Sequence, residues 1–532
     1  MSKYSTNYDV CIIGSGVAGA LVAYKLGRAG IRVVILEAGP RHDMGDRDGA
    51  LDRYIKEGIY PWKSNMPERD VYTTGGKIEL PLNDYTVKAV GGSTLAWMGY
   101  SIRMHDSDFE MRTRYGIADD WPLKYSEIEK YYCEAEEELG VAGDDDNPFG
   151  PPRSKPFPMR GFPPSYAEAV MKNKCEKVGI RFHSVPQARN SVAYRGRPEC
   201  EFYSECHICP TLAKYSADVH IELAEATRNV TVVPNANVVR LEKDNLGKVK
   251  SAIYASTDKI EHSCKASIFV LAAGAVESSR ILLLSKSSGH PDGLANSSGL
   301  VGRYLMEHAG RYRWGRVDYP LFPRRLGFYT LMTHQFYNKK NRDRETAFVF
   351  AGKSTDHPYA AVVDVIDRSG NWGSSLEREI REGIRDNFGR VFTLASQLEP
   401  MPMESNRVEL DPEVKDCFGN PCPKIYYDIS SYERESLPAV EKVLTSIYDA
   451  MGAKVMEKEE FNASGGHFGG TCRMGNDSKK SVVDRNLKAH DVANMYIAGQ
   501  SVMVTEGCAN PCLTNAALSL RLADHLIRTR GR

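Results

Sequence analysis

Three thiols crowd one short stretch. In PECEFYSECHICP (198–210), Cys200, Cys206 and Cys209 fall within ten positions, while the other nine of the chain's twelve cysteines are scattered. Thiols so spaced can hold iron, hold zinc with His207, form a disulfide or carry no ligand, and the stretch alone does not choose. A second group lies near the C-terminus: His467 in NASGGHFGGTCRMG (462–475) and Asn510 in GCANPCLT (507–514). A neutral imidazole is suited to taking a hydroxyl proton near pH 7, and an amide can hold the same oxygen without competing for that proton. Taken alone, a histidine in a glycine-rich turn reads more simply as one that caps a loop.

The elements that must position such groups begin at residue 8. YDVCIIGSGVAGALVAYKLGRAGIRVVILEAG (8–39) is a β-rich run, a glycine turn, a helical stretch and a second β-rich run ending in Glu37. Gly14 permits the tight turn, Gly16 lets backbone approach a pyrophosphate, and Gly19 lets the helix sit against the strand. The helix N-terminus offers free N–H groups to the phosphates, and Glu37, 23 residues after Gly14, stands where a ribose hydroxyl is held. The pattern predicts a dinucleotide fold and does not decide between FAD and NAD. TTGGKIEL (73–80) is no phosphate loop, because it lacks the first glycine at the proper distance and a Ser or Thr after Lys77.

Further along, VTVVPNANVVRLEKD (230–244) alternates like a strand, and KASIFVLAAGAVESSRILLLS (265–285) reads as strand, small-residue turn and helix, returning the chain to the cofactor fold. Between 311 and 460 the character changes. RYRWGRVDYPLF, TAFVFAGKS, YAAVVDVID and RVFTLASQLEP read as strands around a charged helix at 375–387, which predicts an antiparallel sheet with helices.

Composition sets outer limits. At 532 residues the chain exceeds one ordinary core and can bury a large cofactor. Lys+Arg and Asp+Glu are equal at 69 each, so there is no field to collect nucleic acid or anionic lipid. No apolar run reaches the roughly 18–20 residues of a spanning helix, and no export signal is expected. The sparse cysteines suggest folding in a reduced compartment.

ILEAGP (35–40) followed by AVGGSTLAWMGYSIR (89–103), and the two C-terminal lines above, resemble the glucose–methanol–choline (GMC) family of FAD oxidoreductases. The resemblance implies an α/β protein: a Rossmann-like FAD-binding domain with a substrate domain on an antiparallel sheet flanked by helices. It divides the chain into FAD-binding parts at 1–119, 215–310 and 463–532, an insertion carrying the cysteines at 120–214, and a substrate domain at 311–462. Beside Gly14, Gly16, Gly19, Glu37 and Ala38, it places Gly91, Gly92, Ser93 and Trp97 against the flavin and Val238 by the adenine. Ala273, Gly274 and Glu277 complete the domain, and Gly499, Asn510, Pro511 and Thr514 lie along its C-terminal part. Ala96 stands where some members carry a flavin-bonded histidine, which implies noncovalent FAD. His467 and Asn510 become the catalytic pair, while His308 in VGRYLMEHAG (301–310) reads as a structural histidine.

The stretch 190–226 is similar to a bacterial branch of the family, the large subunits of FAD-dependent sugar dehydrogenases, in which three such cysteines hold a three-iron cluster. That implies Cys200, Cys206 and Cys209 as ligands, a small accessory subunit, and a cytochrome acceptor. Location is then periplasmic as the passenger of an exported partner, or else cytoplasmic. The expected activity is oxidation of a sugar or glycoside hydroxyl with a non-oxygen acceptor. An oxygen-using sugar oxidase and a non-redox FAD lyase are the alternatives.

Overall fold

The apolar runs near the N-terminus become the centre of a sheet. The computed structural model describes residues 8–57, 60–201, 206–322, 329–354, 376–387, 389–458, 461–463 and 466–529. Val33–Leu36 is buried at every position and Tyr8–Ile13 at its last four, as parallel strands covered on both faces must be. Val230–Val233, Val33–Leu36, Tyr8–Ile13, the second half of Glu261–Leu271 and Met495–Ile497 lie side by side and parallel. The first half of Glu261–Leu271 pairs antiparallel with Val249–Ala255, which pairs with Asn237–Lys243. One long strand thus serves two ladders.

Helix Val17–Arg28 packs against Cys512–Thr529 and Asp218–Ala226 on one side of this sheet. Its approach to the first strand is close enough that a Cβ on Gly19 would stand 2.0 Å from the Gly14 carbonyl oxygen. The α/β class and the Rossmann-like βαβ start are therefore as the sequence predicts. The stretch 230–244 is not one strand but two. Pro234 lacks the N–H that a ladder needs, and Asn235 turns the chain with φ at +56°.

A second sheet is antiparallel throughout, in the order Lys454–Lys458, Ala309–Arg316, Val391–Leu398, Phe348–Ser354, Leu331–Thr333 and His183–Ser184, with Asn462–Ala463 also on Ala309–Arg316. Three of the strand-like segments and the charged helix (Leu376–Asn387) fall where the sequence places them; YAAVVDVID (359–367) lies outside the described residues. Helices Tyr166–Glu176 and Leu437–Met451 cover one face through a core that includes Phe348, Phe350, Leu394, Leu444 and Tyr448. Residues 120–214 are shared between the layers: Tyr125–Leu139 packs on Cys512–Thr529, whereas Tyr166–Glu176 and His183–Ser184 belong to the antiparallel layer.

The two layers are joined by a fully buried ion cluster. Arg342 pairs with Asp108 and Glu399, its Nε 2.9 Å from Glu399 Oε2 and its Nη1 donating to Ser107 Oγ at 2.8 Å. Tyr337 donates to Asp108 Oδ2 (2.7 Å) and accepts from the Cys508 N–H (3.0 Å). The turn Asp106–Phe109, a sheet-side loop and, through Tyr337, the C-terminal loop meet on one carboxylate.

Removing a single partner from a buried ion cluster leaves uncompensated charge, which costs about 3–5 kcal/mol. Arg342→Ala is expected to lower stability by that amount in denaturant titration. A loss below about 1 kcal/mol would show that the cluster does not join the layers.

Candidate active site

The parallel strands end together at one edge, with Gly14 after Ile13, Glu37 after Leu36, Ala272 after Leu271, and Ala498 and Gly499 after Ile497. Above that edge opens a cavity of about 850 Å³, in the usual position and size range for a ligand site in a doubly wound sheet. Antiparallel strands supply the opposite wall through Gly310, Tyr312, Met332, Val349, Ser396 and Gln397.

The cofactor half is built from small residues. Gly14, Gly16, Ala38, Gly92, Ser93, Trp97, Val238, Ala273 and Gly274 line the cavity, as do Gly499, Asn510 and Pro511. A Cβ added at Gly16, Gly274 or Gly499 would meet nothing within 4 Å. The helix after Gly16 has no side-chain cap, so its first N–H groups are open to an anion. These features fit a dinucleotide such as FAD: a pyrophosphate at the helix N-terminus, and a flat ring system between the Gly92 loop and the Asn510–Pro511 turn.

Three residues expected at the cofactor sit behind this wall instead. Gly19 packs on Gly14, and Gly91 (φ +105°) turns its N–H to Ser15 Oγ at 3.2 Å. Thr514 is buried on the far side of its helix turn, sharing a 2.8 Å hydrogen bond with the Tyr132 hydroxyl. Pro511, Cys512 and Asn515 occupy the cavity-facing stripe.

Two acids differ in how free they are. Glu37 accepts from Ser15 N (2.9 Å) and Oγ (2.6 Å) on one oxygen and from Gly39 N (3.0 Å) on the other. Of the four acceptor positions of a carboxylate, one is left for a ribose hydroxyl. Burial pushes its carboxyl up, against the donors that hold it down. Glu277 joins a charge network missed in the sequence: Lys88 Nζ lies 2.8 Å from both Glu277 and Asp70, with Arg280 3.5 Å from Glu277. Burial raises the Glu277 carboxyl, yet Lys88 and Arg280 hold it at about 2.

At the other end of the cavity His467 Nε2 stands 3.0 Å from Asn510 Nδ2. His467 Nδ1 is 3.1 Å from His308 Nδ1, and the two rings cross at 87°. Glu307 accepts the His308 N–H (2.8 Å) on one oxygen and the His467 N–H (2.9 Å) on the other. Burial lowers both imidazoles, His308 to about 4, and the neighbouring His308 lowers His467 further. At neutral pH the pair is uncharged, and an uncharged His467 can accept a proton at the cavity wall. Glu506 lies against this group, fully buried, its carboxyl pushed well above the usual carboxylate range by burial and then by Glu307. Glu307 and Glu506 went unread in the sequence. Their only signal is adjacency to residues of interest.

The sequence also gave no ranking of the substrate-side wall, where Tyr60, Tyr72, Tyr85, Tyr100, Tyr312 and Tyr329 supply aromatic surface with hydroxyl groups, and Gln397 donates to the Cys508 carbonyl at 2.8 Å.

The thiols of Cys200 and Cys206 are buried and that of Cys209 half-buried. The Lys214 N–H points at Cys209 Sγ (3.4 Å) and Arg189 Nη1 at Cys206 Sγ (3.9 Å). The Lys214 ammonium donates to the Leu95 and Trp97 carbonyls of the cofactor loop (2.9 and 2.8 Å), and His207, next to Cys206, lines the cavity. Zinc bound by several thiolates sets them roughly 3.8 Å apart. Among the described residues the only three candidate ligand atoms within 4.8 Å of one another belong to Glu307, His308 and His467, and those of the cysteines and His207 are not drawn together to that distance.

Profiles for GMC oxidoreductases match residues 69–309 and 402–519, and one for FAD-dependent oxidoreductases matches 9–118. The chain is 32% identical to the fructose dehydrogenase large subunit of Gluconobacter japonicus, over 99% of both chains. It is 30% identical to 2-methyl-1,2-propanediol dehydrogenase of Mycolicibacterium austroafricanum (99% and 96% covered) and 29% identical to 6'''-hydroxyparomomycin C oxidase of Streptomyces lividus (98% and 93%). Among solved structures, pyridoxine 4-oxidase from Mesorbium loti superposes with a TM-score of 0.64 at 18% identity, covering 98% of this chain and 100% of that one. With the strand-edge cavity and these matches along nearly its whole length, the chain belongs to the GMC oxidoreductases, FAD-dependent enzymes that act on CH–OH groups.

Proposed function

We propose that the chain oxidises a hydroxyl of a sugar or glycoside and passes the electrons to an acceptor other than oxygen. The observation that carries this reading is the pair at the cavity wall: an uncharged His467 with Nε2 3.0 Å from Asn510 Nδ2. A substrate oxygen that displaces their mutual contact gives up its proton to the imidazole while the freed amide donates a hydrogen bond to it. Bound FAD supplies the acceptor for the hydride that leaves the same carbon. The tyrosine-rich wall offers flat apolar faces for sugar C–H groups and hydroxyls for their oxygens, and the similarity to a fructose dehydrogenase subunit favours a carbohydrate.

The electron exit in this reading is an iron–sulfur cluster on Cys200, Cys206 and Cys209. Thiolates of a cluster bind different irons and need not converge on one point, and N–H groups and cations near the sulfurs suit its negative charge. Lys214 and Arg189 stand there. A small accessory subunit and a cytochrome would take the electrons onward, with the complex in the periplasm. Fractionation that finds a solitary cytoplasmic protein would count against that assembly. The second reading, an oxygen-using oxidase, is favoured by the similarity to 6'''-hydroxyparomomycin C oxidase.

An anaerobic panel of ketoses, aldoses and glycosides is expected to bleach the flavin with at least one sugar; no bleaching by any hydroxyl compound would exclude redox turnover. Peroxide formed in air at the full turnover rate would select the oxidase. Iron and sulfide assays with electron paramagnetic resonance test the cluster, and absence of both elements would end it.

His467→Ala is expected to keep FAD bound and slow flavin reduction by about 10²–10⁴-fold; near-normal reduction in stopped flow would refute the role of His467. The pH profile provides a further check. An imidazole of ordinary affinity loses half its neutral form by pH 6.5. His467, held well below that range by burial and His308, is expected to sustain flavin reduction with little change from pH 8 to pH 6. A midpoint near 6.5 would contradict it.

A further inference from the structure

We propose that His308 is a positioning residue: it fixes the single proton of His467 on Nδ1 and so leaves Nε2 as the lone pair that meets a substrate hydroxyl. This rests on the reading of His467 as the base and deepens it.

The assignment follows from three bonds taken in order. His308 Nε2 lies 2.9 Å from the Gly507 carbonyl oxygen, which can only accept, so that nitrogen carries a hydrogen. The His308 ring is buried and uncharged, so it holds one hydrogen, and its Nδ1 is an acceptor. His467 Nδ1, 3.1 Å away, must therefore donate. That leaves His467 Nε2 bare, and the group facing it at 3.0 Å is the Asn510 amide nitrogen, a donor. The two ends of the chain of bonds agree. The opposite tautomer would set two lone pairs against each other between the rings and two N–H groups against each other at Asn510.

The backbone keeps the rings in register. One carboxylate, Glu307, takes the N–H of both histidines, and Tyr427 donates to the Glu307 carbonyl at 2.8 Å. When Nε2 gains a proton, the new charge is shared along the Nδ1–H···Nδ1 bond. The groups that face it are the Glu307 carboxylate and the carboxyl of Glu506, whose Oε2 is 3.8 Å from His308 Nδ1. No atom is gained or lost in this transfer. The substrate O–H bond breaks and an N–H bond forms on His467.

A pair of substitutions separates tautomer control from mere support. His308→Gln can still reach the Gly507 carbonyl with its amide nitrogen but has no acceptor at the inner position. His308→Asn sets its side-chain oxygen near the former Nδ1 and gives up the bond to Gly507. Tautomer control predicts that the Gln variant, with FAD bound and melting normally, reduces its flavin roughly ten- to hundredfold more slowly at saturating substrate with unchanged substrate affinity, while the Asn variant stays near the wild-type rate. A supporting role predicts the reverse order.

Nitrogen NMR of ¹⁵N-histidine protein without substrate reads the same point directly. Wild type and the Asn variant are expected to show a protonated Nδ1 and a bare Nε2 at His467, and the Gln variant a mixture. A protonated Nε2 in the wild type, or a Gln variant indistinguishable from it in both measurements, would overturn the proposal. So would a stoichiometric divalent ion whose chelation shifts both histidine signals, since the ring nitrogens would then share a metal. A wild type with the expected tautomer that reduces its flavin with no hydroxyl compound would sink the proposed function and leave this inference standing.

Discussion

The carboxylate of Glu307 ties together two parts of the chain that lie 160 residues apart. Its oxygens take the N–H groups of His308 and His467, and with them it sets the start of one antiparallel strand beside the turn that carries the His467 imidazole. For a buried carboxylate, such amide donors replace the water it has lost. Burial, and then the nearby Glu307, push the Glu506 carboxyl well above the usual carboxylate range. The uncharged histidines, the tautomer order and the reach of Asn510 all presuppose that this single acid is in place.

The cofactor side obeys a different logic. Its wall is mostly backbone and small side chains at the carboxyl ends of parallel strands, so binding there relies on oriented N–H groups and on the absence of bulk. The charged residues Glu37, Asp70, Lys88 and Glu277 line it already partnered. Lys88, Asp70, Glu277 and Arg280 neutralise one another in pairs, and Glu37 gives three of its four acceptor positions to its own loop. Rigid polar scaffolding thereby shapes a largely apolar slot.

The sequence made the first βαβ unit and the His467/Asn510 pair legible for a local reason. Glycine spacing and strand periodicity constrain neighbours within a few residues, and the family resemblance carried the rest. What it hid is non-local. The break at Pro234 separates two strands that alternate as one, and only pairing shows that they belong to different ladders. Thr514 lies in the first turn of the helix that follows Pro511, on the wrong side to reach the cavity. His308, read as structural, shows its partner only when residues 308 and 467 are brought to 3.1 Å. His183–Ser184, from a segment read as an insertion, closes the edge of the second sheet.

The cavity has two walls of separate origin, and this has a consequence for divergence. The floor that accommodates the dinucleotide comes from parallel strand ends and glycine turns, where an added Cβ at Gly14 or Gly92 would meet neighbouring backbone within 3 Å. The roof comes from one face of an antiparallel sheet, where side chains such as Tyr312, Met332 and Gln397 line the cavity. Mutational drift can therefore re-line the roof one residue at a time without disturbing the floor. A single lineage can in this way keep its redox machinery and exchange its clientele.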